Sequence, residues 1–162
     1  MNELKKLKVL KNNEYKAIKF LTDNYHEMIF YMLVKLTHDY EKACSIENYV
    51  YKDILKKCNY KDDDLKQLVI EDTINVYNIL YEGLGNKEVL KISDVINKEY
   101  YFSNDERIIL NSLDEQDSKI FFLKTIFAFT FDEISKELSI DKKEIISRYK
   151  EAIKKVKEIN KW

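Results

Sequence analysis

In 162 residues there is no proline, and the only two glycines, Gly83 and Gly85, stand almost side by side. Hairpin-rich folds use both residue types at turns that need φ > 0 or a fixed φ, whereas helix interiors exclude both. The chain is therefore expected to be all-α. Confining both glycines to Leu80-Tyr81-Glu82-Gly83-Leu84-Gly85-Asn86 marks the end of one helical unit and the start of a connection to a second. The organisation expected from this is a helical domain over 1–85, a linker over 86–104 and a second helical domain over 105–162.

Charge and hydropathy narrow the class further. The chain holds 28 Lys and Arg against 29 Asp and Glu, a net charge of −1, and is 45% hydrophobic. Its longest apolar stretch, Met28 to Leu36, is interrupted by Lys35, far short of the roughly 20 apolar residues a bilayer span requires. No membrane association is expected. The opening Met-Asn-Glu-Leu-Lys-Lys has no apolar signal region, so a cytoplasmic location is expected. Cys44 and Cys58 lack zinc-ligand spacing and read as unpaired thiols. His26 and His38, twelve residues apart, lack the i, i+4 spacing of a metal pair and read as surface or capping residues. No cofactor is expected.

Apolar residues recur at helical spacing. Tyr15, Ala17, Ile18 and Leu21 form one stripe, and Tyr25, Met28, Ile29, Met32, Leu33 and Leu36 form the next. A third helix is expected over Glu41 to Lys57, with Ile46, Val50 and Ile54 inward and Leu55 beside them. Asp62, Asp63 and Asp64 supply N-cap carboxylates to a fourth helix carrying Leu65, Leu68, Val69, Ile74 and Tyr77. Without a turn glycine and a bidentate glutamate at EF-hand spacing, capping explains the three aspartates better than cation binding. Ser103-Asn104-Asp105 reads as the cap that opens the second domain.

In that domain the near-neutral average conceals a polarity. Residues 105–138 carry a net charge of −4 and residues 141–162 a net charge of +4. A basic helix of this kind fits either a solvated surface with Glu/Lys pairs or a phosphate-facing surface. Thr130, with Glu133 three positions on, makes a capping box at the start of a short helix. Ser139-Ile140-Asp141 is a tight connection, and Asp141 with Glu144 opens the next helix by the same logic. Ile134, Leu138, Ile140, Ile145, Tyr149, Ala152 and Val156 make one apolar seam. A short helix, a tight turn and a longer helix with a small residue midway along its packing face form a helix-turn-helix pattern.

These residues carry a resemblance. Leu113 to Val156 resembles, without a gap, the C-terminal promoter-recognition domain of bacterial RNA polymerase sigma factors. The family's glycine-aromatic-Ser/Thr-aromatic-acid-Glu-Ile-Ala segment is matched by Ala128-Phe129-Thr130-Phe131-Asp132-Glu133-Ile134-Ser135. The match continues through Leu138, Ile140 and Ile145 to Ser147-Arg148, Ala152 and Lys154-Lys155-Val156. Ser139 stands at the family's small turn residue, Glu144 replaces a threonine and Ile146 a lysine. Ala17, Leu21, Tyr25, Ile29, Leu36-Thr37, Asp39 and Ala43 are similar in spacing to the first conserved domain of the small, extracytoplasmic-function type.

The resemblance implies a region-2-like domain that binds core RNA polymerase and a region-4-like helix-turn-helix that binds promoter DNA. At the family's polymerase-gripping segment Ala43, Ile46, Asn48 and Tyr51 fit, which implies Ile46, Asn48 and Tyr51 as polymerase-binding residues. The last helix would enter the major groove, which makes Lys142, Lys143, Ser147, Arg148 and Lys150 DNA contacts, with Lys154 and Lys155 further along the backbone. Arg148 suits a guanine edge, while the lysines suit phosphates. Thr130 and the amide end of its helix would hold a phosphate. An anti-sigma factor is a further partner the family brings with it. The alternative is a degenerate sigma-like interaction module or regulator that has lost promoter binding. With no glycine-rich phosphate loop, nucleophile elbow or metal-ligand spacing, no enzyme is expected.

Overall fold

The computed structural model describes residues 2–60, 64–81 and 91–159, the side chain of Tyr60 aside. Gly83, Gly85, Asp62 and Asp63 lie outside the described residues, as does Leu90 of the expected linker. Among the described residues the protein is all-α, with eight α-helices and no strand. It divides into two compact units, Met1–Glu88 and Val89–Trp162.

With so little glycine and no proline, helix ends are set by side-chain caps. Asn2, Asn13, Asp39, Asp64, Ser103, Asp114 and Thr130 open seven of the helices, each accepting at least one backbone N–H from the first turn. A cap of this kind contributes about 1 kcal/mol. At the other ends, His38 and Ser139 take the left-handed conformation that glycine usually supplies, with φ of 57° and 56°, and so does Ala128, with φ of 50°. Left-handed backbone costs a non-glycine residue about 1–2 kcal/mol. Ala128→Gly and Ser139→Gly are each expected to raise stability by about 0.5–1 kcal/mol, because glycine's looser unfolded chain offsets part of the relief. Urea midpoints of the two variants check this, and a fall in either would contradict it.

In the first unit, α1 (Glu3–Leu10) packs on α2 (Glu14–Thr37), and α2, α3 (Tyr40–Lys57) and α4 (Leu65–Leu80) pack on one another. Leu21, Ile29, Met32 and Leu33 of α2 meet Ile46, Val50 and Ile54 of α3 and Leu65 and Val69 of α4 in a closed core. On α2 the expected stripes are buried except at Ile18 and Leu36, which are partly buried, and at Tyr15, which is 77% exposed and lies outside the packing face. On α4, Ile74 and Tyr77 are only partly buried, and Asp72, Thr73 and Val76 take the inward positions instead.

That core admits polar groups in pairs. Glu47, almost fully buried, accepts from Tyr51 Oη at 2.6 Å and is paired with Nδ1 of His26. Burial, reinforced by the bond to Glu47, pushes the Tyr51 phenol up, so it stays a donor. Between α3 and α4, Lys57 Nζ lies 2.6 Å from Asp72 Oδ1 and 2.9 Å from Asp53 Oδ2. Asp72 is 2% exposed, and its carboxyl is pushed up to about 6 by burial and by the neighbouring Asp53. Although burial opposes it, hydrogen bonding to Asp72 and Lys57 holds Asp53 below the ordinary carboxylate value. Cys44 is exposed and Cys58 buried, and both are free thiols.

In the second unit, α5 (Asn104–Ser112), α6 (Glu115–Thr125) and α7 (Phe131–Leu138) each pack against α8 (Lys142–Ile159). Leu110, Ile120, Leu123, Phe127 and Ile134 close over Ile145, Ala152 and Val156 of α8. The segment 91–103, read from the sequence as linker, belongs to this unit: Ile92, Val95 and Ile96 are buried. The Ser93 backbone N–H and hydroxyl both point at Glu137 Oε1 of α7. No described helix is long and apolar enough to cross a membrane.

Candidate functional site

The basic residues singled out by the sequence all lie on α8, and Thr130 stands at the start of α7. Thr130 caps α7 as expected: its backbone N–H donates to Glu133 Oε1 at 3.0 Å, and Glu133 N–H donates back to Thr130 Oγ1 at 3.1 Å. At the far end, the Ser135 carbonyl accepts from the N–H groups of Ser139 and Ile140, and Ser135 Oγ donates to the Ile140 carbonyl. One serine thus ties both ends of the turn. Asp141 then accepts from Lys143 N–H at 3.2 Å and opens α8.

The expected reciprocal box between Asp141 and Glu144 does not form. Glu144 turns instead to Arg148, accepting from its Nε at 3.1 Å one helical turn on. Arg148 also donates from Nη1 to Asp117 Oδ1 at 3.2 Å and lies 4.0 Å from Asp114 Oδ2. Asp114 is the N-cap of α6 and Asp117 lies in its first turn, where the helix dipole favours carboxylates. Asp117 is 7% exposed, and a buried carboxylate needs a partner. The guanidinium therefore anchors α8 to the start of α6: in this fold its donors face three carboxylates rather than open solvent.

The other residues expected at DNA are on the outside. Thr130, Lys142, Lys143, Ser147, Lys150, Lys154 and Lys155 are all exposed. Lys142 pairs with Asp132 Oδ1 at 3.2 Å and Lys154 with Glu151 Oε1 at 3.4 Å, both at the surface, where such pairs contribute at most about 1 kcal/mol. At about 100° per residue, Lys143, Ser147, Lys150 and Lys154 share the side of α8 opposite Ile145, Ala152 and Val156. Lys157, also exposed, extends that row by one more turn. It was legible in the i, i+7, i+14 spacing of 143, 150 and 157, a spacing that counting net charge does not reveal. Glu144, Glu151 and Glu158 form a second row with the same interval alongside it.

Aromatic contacts fix the base of this surface. Phe131 and Tyr149 meet edge to face at 5.6 Å, and Lys124 Nζ sits 4.4 Å from the Phe131 ring centroid.

In the first unit the residues expected at polymerase separate. Asn48 is exposed on α3, but Ile46 is 2% and Tyr51 3% exposed. Both face α2 and α4 in the core, Tyr51 bound to Glu47, so neither side chain is on a docking surface. The outward side of α3 includes Glu41, Ser45, Asn48, Tyr49, Lys52 and Lys56. Among the described residues no group of three or more His, Cys, Asp and Glu is placed to hold a metal.

Comparison with models of known protein families and with curated proteins gives no match for this chain.

Proposed function

We propose that the chain is a sigma-factor-like transcription regulator, in which the first unit engages core RNA polymerase and α7, its turn and α8 act as a helix-turn-helix against promoter DNA. The observation that supports this reading most directly is the backbone at Ala128. The sigma-factor motif carries glycine at this position, and here the chain adopts φ of 50°, the conformation glycine favours, immediately before a boxed short helix. A positive φ at the position where the motif carries glycine supports the reading. The second support is the lysine row on the outer side of α8, which gives DNA phosphates a surface to meet.

A second reading, an interaction module without promoter binding, is favoured by the engagement of Arg148 with Asp114, Asp117 and Glu144. Co-purification with core polymerase, followed by run-off transcription from a pool of intergenic duplexes, separates the two. The regulator reading expects stable co-purification and discrete transcripts that depend on the chain. Lys143/Lys150/Lys154→Gln should then reduce transcripts at least about tenfold without loss of co-purification, since each lost phosphate contact weakens DNA binding alone. Co-purification without transcripts selects the module, and neither result abandons both.

A further inference from the structure

The two charge rows on α8 set how this helix can meet a duplex. Lys143, Lys150, Lys154 and Lys157 project from one side, within an arc of about 60° and along a rise of about 21 Å. Ser147 is the one uncharged residue in the row. Beside it, within about a quarter turn, run Glu144, Glu151 and Glu158. A helix seated in the major groove, about 12 Å wide, has phosphates on both flanks. That seat would press the glutamate row toward one of the two strands, at a cost in like-charge repulsion. A helix laid along one strand instead presents lysines to phosphates and turns the glutamates to solvent.

The donors available point the same way. Base edges are read most specifically by the rigid groups of Arg, Asn and Gln, whereas lysine, which can also reach guanine O6 and N7, is a flexible point charge suited to phosphates. The outer side of α8 holds no Asn or Gln, and its one arginine is held by Asp114, Asp117 and Glu144.

Resting on the DNA-binding reading above, we infer that α8 tracks a single phosphate backbone through Lys143, Lys150, Lys154 and Lys157, and that its hold on duplex DNA is independent of base sequence. Sequence preference in transcription then comes from the rest of the complex, and α8 supplies affinity alone.

Fluorescence anisotropy of the full chain with three unrelated 24-bp duplexes, one of them alternating dA and dT and one rich in dG and dC, tests this between 50 and 200 mM KCl. The three dissociation constants are expected within about threefold of one another. The plot of log K against log salt should have a slope near −3.6, from about −0.9 for each of four lysines. Each single Lys→Gln substitution at 143, 150, 154 or 157 is expected to bring that slope about one unit closer to zero. Glu151→Gln with Glu158→Gln should change affinity less than about threefold, because in this seat those side chains face water. A fully single-stranded 24-mer forms the last arm, and it should bind more weakly than duplex because its phosphate spacing is not fixed to match the row.

Discrimination among the duplexes of 100-fold or more would overturn the backbone mode while leaving DNA binding in place. So would a slope that the lysine substitutions do not move, or a large gain in affinity on neutralising the glutamates, which would place their row against phosphates. Failure to bind any duplex at 50 mM would overturn the DNA-binding reading along with it.

Discussion

Replacing Lys57 by methionine is expected to destabilise the protein by about 2–4 kcal/mol at pH 7.5, less than for a fully buried pair because the ammonium is part-exposed, and by much less at pH 5. The methionine keeps most of the apolar stem, so packing changes little. What goes is the one cation between Asp53 and Asp72, with contacts of 2.9 and 2.6 Å, and Asp72 is left in the core with a second carboxylate beside it. The sign follows from the direction of each shift. Asp72 ionises at about 6 in the fold, above its ordinary 3.8, so the stability its protonated form contributes is complete below pH 3.8 and is lost as pH rises through 6. Asp53 is held below its ordinary value, so its contribution is present above pH 3.8 and lost as pH falls. Without Lys57 the ionised Asp72 is still less favoured, and the deficit opens as pH climbs from 5 to 7.5. Urea denaturation at the two pH values measures it. Asp72→Asn in the same background should restore most of the loss at pH 7.5 and flatten the pH dependence, since an amide carries no charge to compensate. An equal loss at both pH values would show that Lys57 acts through packing.

Replacing Arg148 by methionine is the next largest effect, about 2–3 kcal/mol, because Asp117 is left buried without its partner. Asp114 and Glu144 are exposed and can turn to water, but Asp117 cannot. Arg148→Met is therefore expected to lower the melting temperature by several degrees, and Asp117→Asn combined with it should recover more than half of the loss. Lys154→Gln, which breaks only a surface pair, should stay within about 0.5 kcal/mol of the parent. If Arg148→Met proved neutral, the guanidinium would be available to another partner and its anchoring role would fail.

These two sites mark the boundary of what the chain's order of residues discloses. Caps are local: Thr130 with Glu133, Ser103 and Asp64 bond within four positions, and each was legible from spacing. The apolar seam from Ile134 to Val156 was legible for the same reason, since periodicity within one helix sets its buried side. Arg148 was not, because Asp117 lies 31 residues away and only the packing of α6 against α8 brings the two together. Ile46 and Tyr51 differ from this. The inward side of Ile46 was legible in its stripe with Val50 and Ile54, and its polymerase role came only from the resemblance; Tyr51, outside that stripe, is turned inward as well by the packing of α3, and Asn48 is left outside. The Lys57 cluster gave no signal, as one lysine and two aspartates spread over twenty residues are common in any charged helix pair. Segment 91–103 looked like linker because Leu90, Ile92, Val95 and Ile96 are few and irregular, yet three of them are buried in the second unit.

The side-chain caps that end these helices also have a kinetic consequence. Proteins that stop helices with proline inherit a slow step, because each X–Pro bond reaches equilibrium over tens of seconds in the unfolded chain. Here the starts of α1 to α7 are written in Asn, Asp, Ser and Thr, and α2 and α7 end on left-handed His38 and Ser139, none of which has a second peptide isomer to wait for. Each unit can therefore regain its native state as fast as its helices collide and pack, with no molecule held back by a wrongly set bond.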